Sequence, residues 1–110
     1  MKTSPTDVAP IESKAALDVC ALPPRLAALA HPARLAILLE LSGRHCSCCK
    51  DVVASMNLAQ STVSQHLKVL LEAGIISLES ERQRSVYRLE REALRTLADE
   101  MNAFAERCGQ

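Results

Sequence analysis

Asn57-Leu58-Ala59-Gln60-Ser61-Thr62-Val63-Ser64-Gln65-His66-Leu67-Lys68-Val69-Leu70-Leu71-Glu72-Ala73-Gly74 is the stretch on which the reading of this chain turns. Val63, Leu67, Leu70 and Leu71 recur at helical spacing and mark one buried side. Asn57 and Gln60 have the spacing of a capping box, so the helix is expected to open there and run to about Ala73. Gly74 is the residue expected just past its end, where a left-handed conformation is needed. The other side carries Gln60, Ser61, Thr62, Ser64, Gln65 and Lys68, and no Asp or Glu occurs from Asn57 to Leu71. His66 falls on the border of the apolar side, where a hydrogen-bonded structural histidine is expected.

Beyond Gly74 the period changes from 3.6 to 2. Ile76 and Leu78 alternate with polar residues, as do Tyr87 and Leu89, and the polar segment Glu81-Arg82-Gln83-Arg84 between them predicts a β-hairpin with a basic tip. A last helix is predicted over Arg91–Arg107, with Leu94, Leu97, Met101, Phe104 and Cys108 at steps of three and four, a heptad seam suited to packing against another helix. Toward the N-terminus, a short helix is predicted over Asp51–Met56 with Val52 and Val53 inward. Another runs from Pro32 to Leu41, burying Leu35, Leu38 and Leu39, and stops at Gly43. Pro24 opens a helix carrying Leu26, Leu29 and Ala30, since proline is tolerated in a first helical turn. A further helix is predicted over Ser13–Ala21. Residues 1–13 are aperiodic and read as a disordered tail, leaving 14–108 as one domain. The fold class is therefore mainly α with a β-hairpin wing: a winged helix-turn-helix of six helices, with the hairpin between the fifth and the sixth, forming a homodimer through its terminal helices.

The totals agree with this. A chain of 110 residues fits one small domain, and 48% hydrophobic residues can supply its core. Only Tyr87 and Phe104 are aromatic, so the core must be Leu, Ile, Val, Ala and Met. The net charge is zero, from 13 basic and 13 acidic residues, so any attraction to nucleic acid must come from local clustering. No apolar run approaches a membrane span, and the first ten residues lack the apolar core of a signal peptide. The expectation is a cytoplasmic protein with no membrane partner, whose five cysteines are thiols.

The polar side of the central helix suits the major groove of double-stranded DNA. Ser61, Thr62, Ser64 and Lys68 match phosphates, and Gln60 and Gln65 match an adenine edge. The helix N-terminus adds N–H groups for a phosphate, and Arg82 and Arg84 at the hairpin tip would reach the minor groove or the backbone.

Arg44-His45-Cys46-Ser47-Cys48-Cys49-Lys50 places three thiols within four residues, beside the short helix at Asp51. Three thiols in a polar loop do not pack a core; they suit a soft ion. Trivalent arsenic or antimony takes three sulfurs, from Cys46, Cys48 and Cys49. Cadmium, lead or zinc takes a fourth ligand, for which His45, Cys20 and Cys108 are available. A thiol-redox or sulfide-responsive switch on the same cysteines is the other reading.

Leu58 to Ile76 resembles the recognition-helix signature of the ArsR/SmtB family of metal-sensing repressors, and Leu29-Ala30-His31-Pro32-Ala33-Arg34-Leu35-Ala36-Ile37-Leu38 resembles the helix pair just upstream. The resemblance covers about residues 22–95. It implies a dimeric winged helix with the outer helices as interface, an inverted-repeat operator, repression without ligand and release on binding it. It also implies operator contacts for residues 60–62, 64, 65 and 68. In arsenic-sensing members a Cys-x-Cys lies shortly before an Asp at the start of the supporting helix. Here the ingredients are shifted in register, because Lys50 rather than a cysteine precedes Asp51. The zinc site that some members build on their last helices needs histidine, and the final helix here has none. A cadmium- or lead-type site borrowing Cys20 stays open.

No Gly-rich phosphate loop, nucleophile elbow or carboxylate pair is present, which argues against an enzyme. A metallochaperone is the non-repressor alternative, but it needs neither the polar helix face nor the basic hairpin.

Overall fold

The computed structural model describes residues 20–43 and 48–109. The tail at 1–13, nearly all of the helix expected over Ser13–Ala21, and Arg44, His45, Cys46 and Ser47 lie outside the described residues. Cys20 and Ala21 form a turn, and the described residues hold five helices rather than six.

Helix α1 spans Leu22–Leu29, with Pro23 and Pro24 in its first turn, where the missing N–H groups cost nothing. Helix α2 spans Pro32–Ser42, and His31 caps it by accepting the Ala33 N–H at Nδ1, 3.0 Å away. The expected buried stripe of α2 needs correction. Ile37, Leu38 and Leu41 are the inward residues, while Leu35 and Leu39 are 47% and 73% exposed. The two sets lie on adjacent arcs of the helix, and within one chain only the first is covered.

Helix α3 spans Cys49–Ser55, starting and ending earlier than expected, with Val52 buried and Val53 half-buried. Helix α4 spans Gln60–Glu72. Its expected capping box does not form: the N-cap is Ala59, and no side chain caps the helix. Asn57 falls two residues too early to reach the first-turn N–H groups. The other end is as expected. Gly74 has φ +78°, its N–H bonds the Leu71 carbonyl (3.0 Å), and the Ile75 N–H bonds that of Leu70 (3.1 Å). This paired closure satisfies two carbonyls that the helix itself leaves open.

Strands β1 (Ile76–Glu81) and β2 (Arg84–Leu89) pair antiparallel, with Ile76 opposite Leu89 and Leu78 opposite Tyr87. These four share one face, as the alternation implied, but burial fades toward the tip: Ile76 is enclosed, Leu78 is 44% exposed. Val86, on the opposite face, is fully buried as well. The two-residue connection places Arg82 at φ +60°, a left-handed conformation usually left to Gly or Asn. Helix α5 spans Arg91–Cys108.

The core centres on Val63, Leu67 and Leu70 of α4, all wholly enclosed, with Ile37 and Leu41 of α2, Val52, Ile75, Ile76 and Leu97 around them. Every buried apolar side chain among the described residues is Leu, Ile, Val or Ala. From α5, Leu97 and Glu100 point inward, and Glu100 is satisfied by Arg25 of α1, whose guanidinium lies 2.5 Å from its carboxylate. No helix of the described residues is long and apolar enough to cross a membrane.

Candidate nucleic-acid interface and thiol site

Helix α4 has two opposed faces. Because Val63, Leu67 and Leu70 bind it to the core, Gln60, Ser61, Thr62, Ser64, Gln65 and Lys68 are all turned outward and exposed. No acidic residue stands in its first turn, and the uncapped N–H groups there carry the positive end of the helix dipole. The hairpin adds Arg82 and Arg84, both exposed near the tip. Arg88, farther down the strand, pairs with Glu79 at 2.9 Å. The sequence-chosen polar residues therefore occupy two surfaces, the α4 face and the hairpin tip.

The thiols bridge these surfaces. Cys48 is the N-cap of α3 and Cys49 its first residue. The Cys48 N–H donates to the Asp51 carboxylate at 3.4 Å, across the first turn of α3. Arg84 of the hairpin donates to Cys48 Sγ at 3.9 Å, and Cys49 Sγ lies 3.6 Å from Ser64 Oγ of α4. Nothing in the local sequence signalled either pairing, since the partners lie 36 and 15 residues away. Tyr87 flanks the pair: burial, and secondarily the adjacent Cys49, push its phenol above the usual range.

Of the sequence-chosen ligands, Cys48 and Cys49 are half-buried, while Cys20 and Cys108 are exposed. Cys46 and His45 lie outside the described residues. Among the described residues, no three His, Cys, Asp or Glu side chains are grouped to hold a metal ion. Of the three sulfurs expected to act as one set, the described two meet different partners, Arg84 on the hairpin and Ser64 on α4.

The residues expected at a dimer interface divide. Leu97 is committed to the chain's own core and Leu94 is half-buried against it. Met101 and Phe104 are 38% and 44% exposed. With Leu22, Pro23 and Leu26 of α1 they line an open, wholly apolar groove. His66 is hydrogen-bonded, as expected, with Nδ1 3.2 Å from an Arg34 nitrogen. Arg34 itself went unnoticed in the sequence, where it stood only as part of a helix.

Residues 31–77 match the family model described as bacterial regulatory protein, arsR family. The HTH-type transcriptional repressor SmtB of Mycobacterium tuberculosis is 41% identical over 64 residues, which are 58% of this chain. The chain spans about half, 47%, of that relative's length. The arsenical resistance operon repressor of Bacillus subtilis is 38% identical over 73 residues, covering 66% of this chain and 70% of the relative. Among solved structures, the homodimeric winged helix-turn-helix DNA-binding domain Mb0332 of Mycobacterium bovis superimposes with a TM-score of 0.66 at 24% identity, over 92% of this chain and 93% of that one. A helix-turn-helix followed by a hairpin wing, with the family's match across α2 to α4, has one reading: the chain belongs to the ArsR family of bacterial regulatory proteins.

Proposed function

We propose that this protein is a transcriptional repressor. In this reading it binds an inverted-repeat operator in double-stranded DNA as a homodimer, and it leaves when a thiophilic ion is held by the cysteines at the start of α3. The observation that carries the reading is that each described thiol of that cluster meets one side chain of the candidate DNA-reading surface: Cys48 meets Arg84, and Cys49 meets Ser64. Residues 60–62, 64, 65 and 68 enter the major groove, and Arg82 and Arg84 hold the flanking backbone or minor groove. The open groove of Leu22, Leu26, Met101 and Phe104 receives the same groove of a second copy. The two-fold axis then sets the operator's symmetry.

Cys48 and Cys49, together with Cys46, suit an ion that takes sulfur ligands. Such an ion supplies strong bonds to sulfur and nothing else. An ion held by these sulfurs would draw Cys48 Sγ and Cys49 Sγ toward itself and away from the positions from which they meet Arg84 and Ser64. Both DNA-contacting side chains would then lose the positions they hold against α3. Release requires the loaded thiols to favour the DNA-free form, since a ligand shifts an equilibrium only by its differential affinity. The Bacillus relative represses an arsenical resistance operon, so trivalent arsenic or antimony is the first candidate. Cadmium, lead or zinc, with a fourth ligand from Cys20, His45 or Cys108, comes after it. A cytoplasmic location, where thiols stay reduced, goes with this reading.

A second reading has its own support. Cys48 and Cys49 are neighbouring, half-buried free thiols, which suits a redox- or sulfide-responsive repressor. Fluorescence anisotropy on the DNA upstream of the protein's own coding region separates the two. Arsenite, antimonite, cadmium, lead, zinc and a mild oxidant are added singly to the reduced complex. Arsenite or antimonite is expected to release the DNA. The double variant Cys48→Ser, Cys49→Ser should bind with a Kd within about threefold of wild type and ignore both. Release by oxidant alone supports the second reading, and a double variant that still responds to arsenite overturns the cluster's role. Tight ion binding without specific DNA binding supports a metallochaperone.

A further inference from the structure

Arg34 stands at the junction of three helices. From the first turn of α2 its Nε donates to the Ala28 carbonyl at 2.6 Å, and its Nη2 donates to that of Ala27 at 3.1 Å. Both carbonyls lie in the last turn of α1; that of Ala27 also accepts the Ala30 N–H at 3.1 Å, while that of Ala28 is one the helix leaves to an outside donor, and a cation there also meets the negative end of the α1 dipole. The third nitrogen, Nη1, lies 3.2 Å from His66 Nδ1 in the middle of α4. The guanidinium only donates, so Nδ1 must accept, and the His66 proton sits on Nε2. The His31 ring, which caps α2, lies against the His66 ring with centroids 4.4 Å apart. One planar fork thus ties the end of α1 to the polar helix α4.

The two helices joined in this way have different duties in the proposed repressor. Helix α1 contributes Leu22 and Leu26 to the apolar groove, while α4 carries the residues for the major groove. We propose that Arg34 is a positioning residue for DNA reading: it sets α4 against α1, and so against the two-fold axis, by holding neutral His66 at the α1 C-terminus. This rests on the repressor reading given above. A dimer reads two half-sites only when its two reading helices are held at the separation of successive major grooves. A small rotation of α4 about its buried face would spoil that fit without unfolding the domain.

The arrangement needs an uncharged His66. Burial, then the His31 ring, then the Arg34 guanidinium hold its pKa below 6.5. Those two residues are the groups whose charge acts on it. Protonation would remove the acceptor and set a cation against Arg34, so the contact is intact above pH 6.5 and is lost as the pH falls through the lowered value.

The test uses the full chain on its upstream DNA, with hydrogen exchange of the α4 amides measured without DNA. Arg34→Lys keeps the charge and loses the fork; it is expected to weaken DNA binding at pH 7.5 by about tenfold or more. Exchange in α4 should quicken in the same variant, while α5 stays as in wild type. His66→Asn places an oxygen where Nδ1 stood and cannot take a proton. It should bind close to wild type at pH 7.5 and lose less affinity than wild type as the pH falls below 6.5 through the range where His66 takes its proton. That comparison cancels the general gain of a more positive protein at low pH. An Arg34→Lys variant equal to wild type in both measurements, or a His66→Asn variant with the wild-type pH profile, overturns the proposal. If wild type binds no DNA, the repressor reading fails by itself. The exchange arm still decides the contact: faster α4 exchange in Arg34→Lys keeps it, and unchanged exchange removes it.

Discussion

Helices α4 and α5 both carry an apolar stripe at helical spacing, yet the fold treats them differently. In α4 the stripe of Val63, Leu67 and Leu70 is wholly enclosed. In α5 only Leu97 and Glu100 are enclosed, and the stripe opens progressively through Met101 and Phe104. A stripe completed within one chain builds the fold and fixes where the opposite face points. A stripe left half open, beside matching residues of α1, is the surface on which the proposed dimer would close. The same periodic pattern therefore carries two meanings, which are told apart by what covers it.

This contrast can be tested at graded strength. Leu67→Ala should cost about 3 kcal/mol of unfolding free energy, measured by urea denaturation, because the cavity lies at the centre of the core. Phe104→Ala should leave unfolding of the monomer nearly unchanged, yet weaken self-association by about tenfold in sedimentation equilibrium. If Phe104→Ala unfolded the domain, or left association intact, the division between the helices would fail. Gly74→Ala tests the end of α4: an added Cβ meets nothing within 4 Å, so the whole penalty is conformational, about 1–2 kcal/mol. The smallest effect is expected at the hairpin tip. Arg82→Gly relieves the left-handed conformation and should raise stability by under about 1 kcal/mol, while operator affinity falls with the lost charge.

Much of this organisation was legible in the residues. The period of α4, the change of period after Gly74 and the polar, acid-free face need only local spacing to be seen. What escaped was set by neighbours distant in the chain. Asn57 and Gln60 had the spacing of a cap, but the backbone turns at Ala59 instead. Leu35 and Leu39 carried helical spacing as good as that of Leu38, and the choice between the arcs of α2 depended on where α3 and α4 lay. Val86, which the sequence reading passed over, is enclosed on the face of the hairpin opposite Ile76 and Leu78. The site was half legible for the same reason. Thiols crowded into a polar segment announce soft-ion or redox chemistry by composition alone. Their contacts with Ser64 and Arg84 exist only once α3 is folded between the hairpin and α4. Arg34 belongs with these, since its three partners lie on two other helices.

The central claim is that the polar face of α4 reads DNA in a dimer. The most direct measurement is an anisotropy titration of the upstream DNA at about 0.15 M salt, with the stoichiometry determined, using wild type and Gln65→Ala. Saturable binding of two protomers to one inverted repeat is expected, with a loss of about 1–3 kcal/mol in Gln65→Ala and the dimer and its unfolding transition unchanged. Equal affinity for unrelated DNA, or a Gln65→Ala variant indistinguishable from wild type, would contradict it.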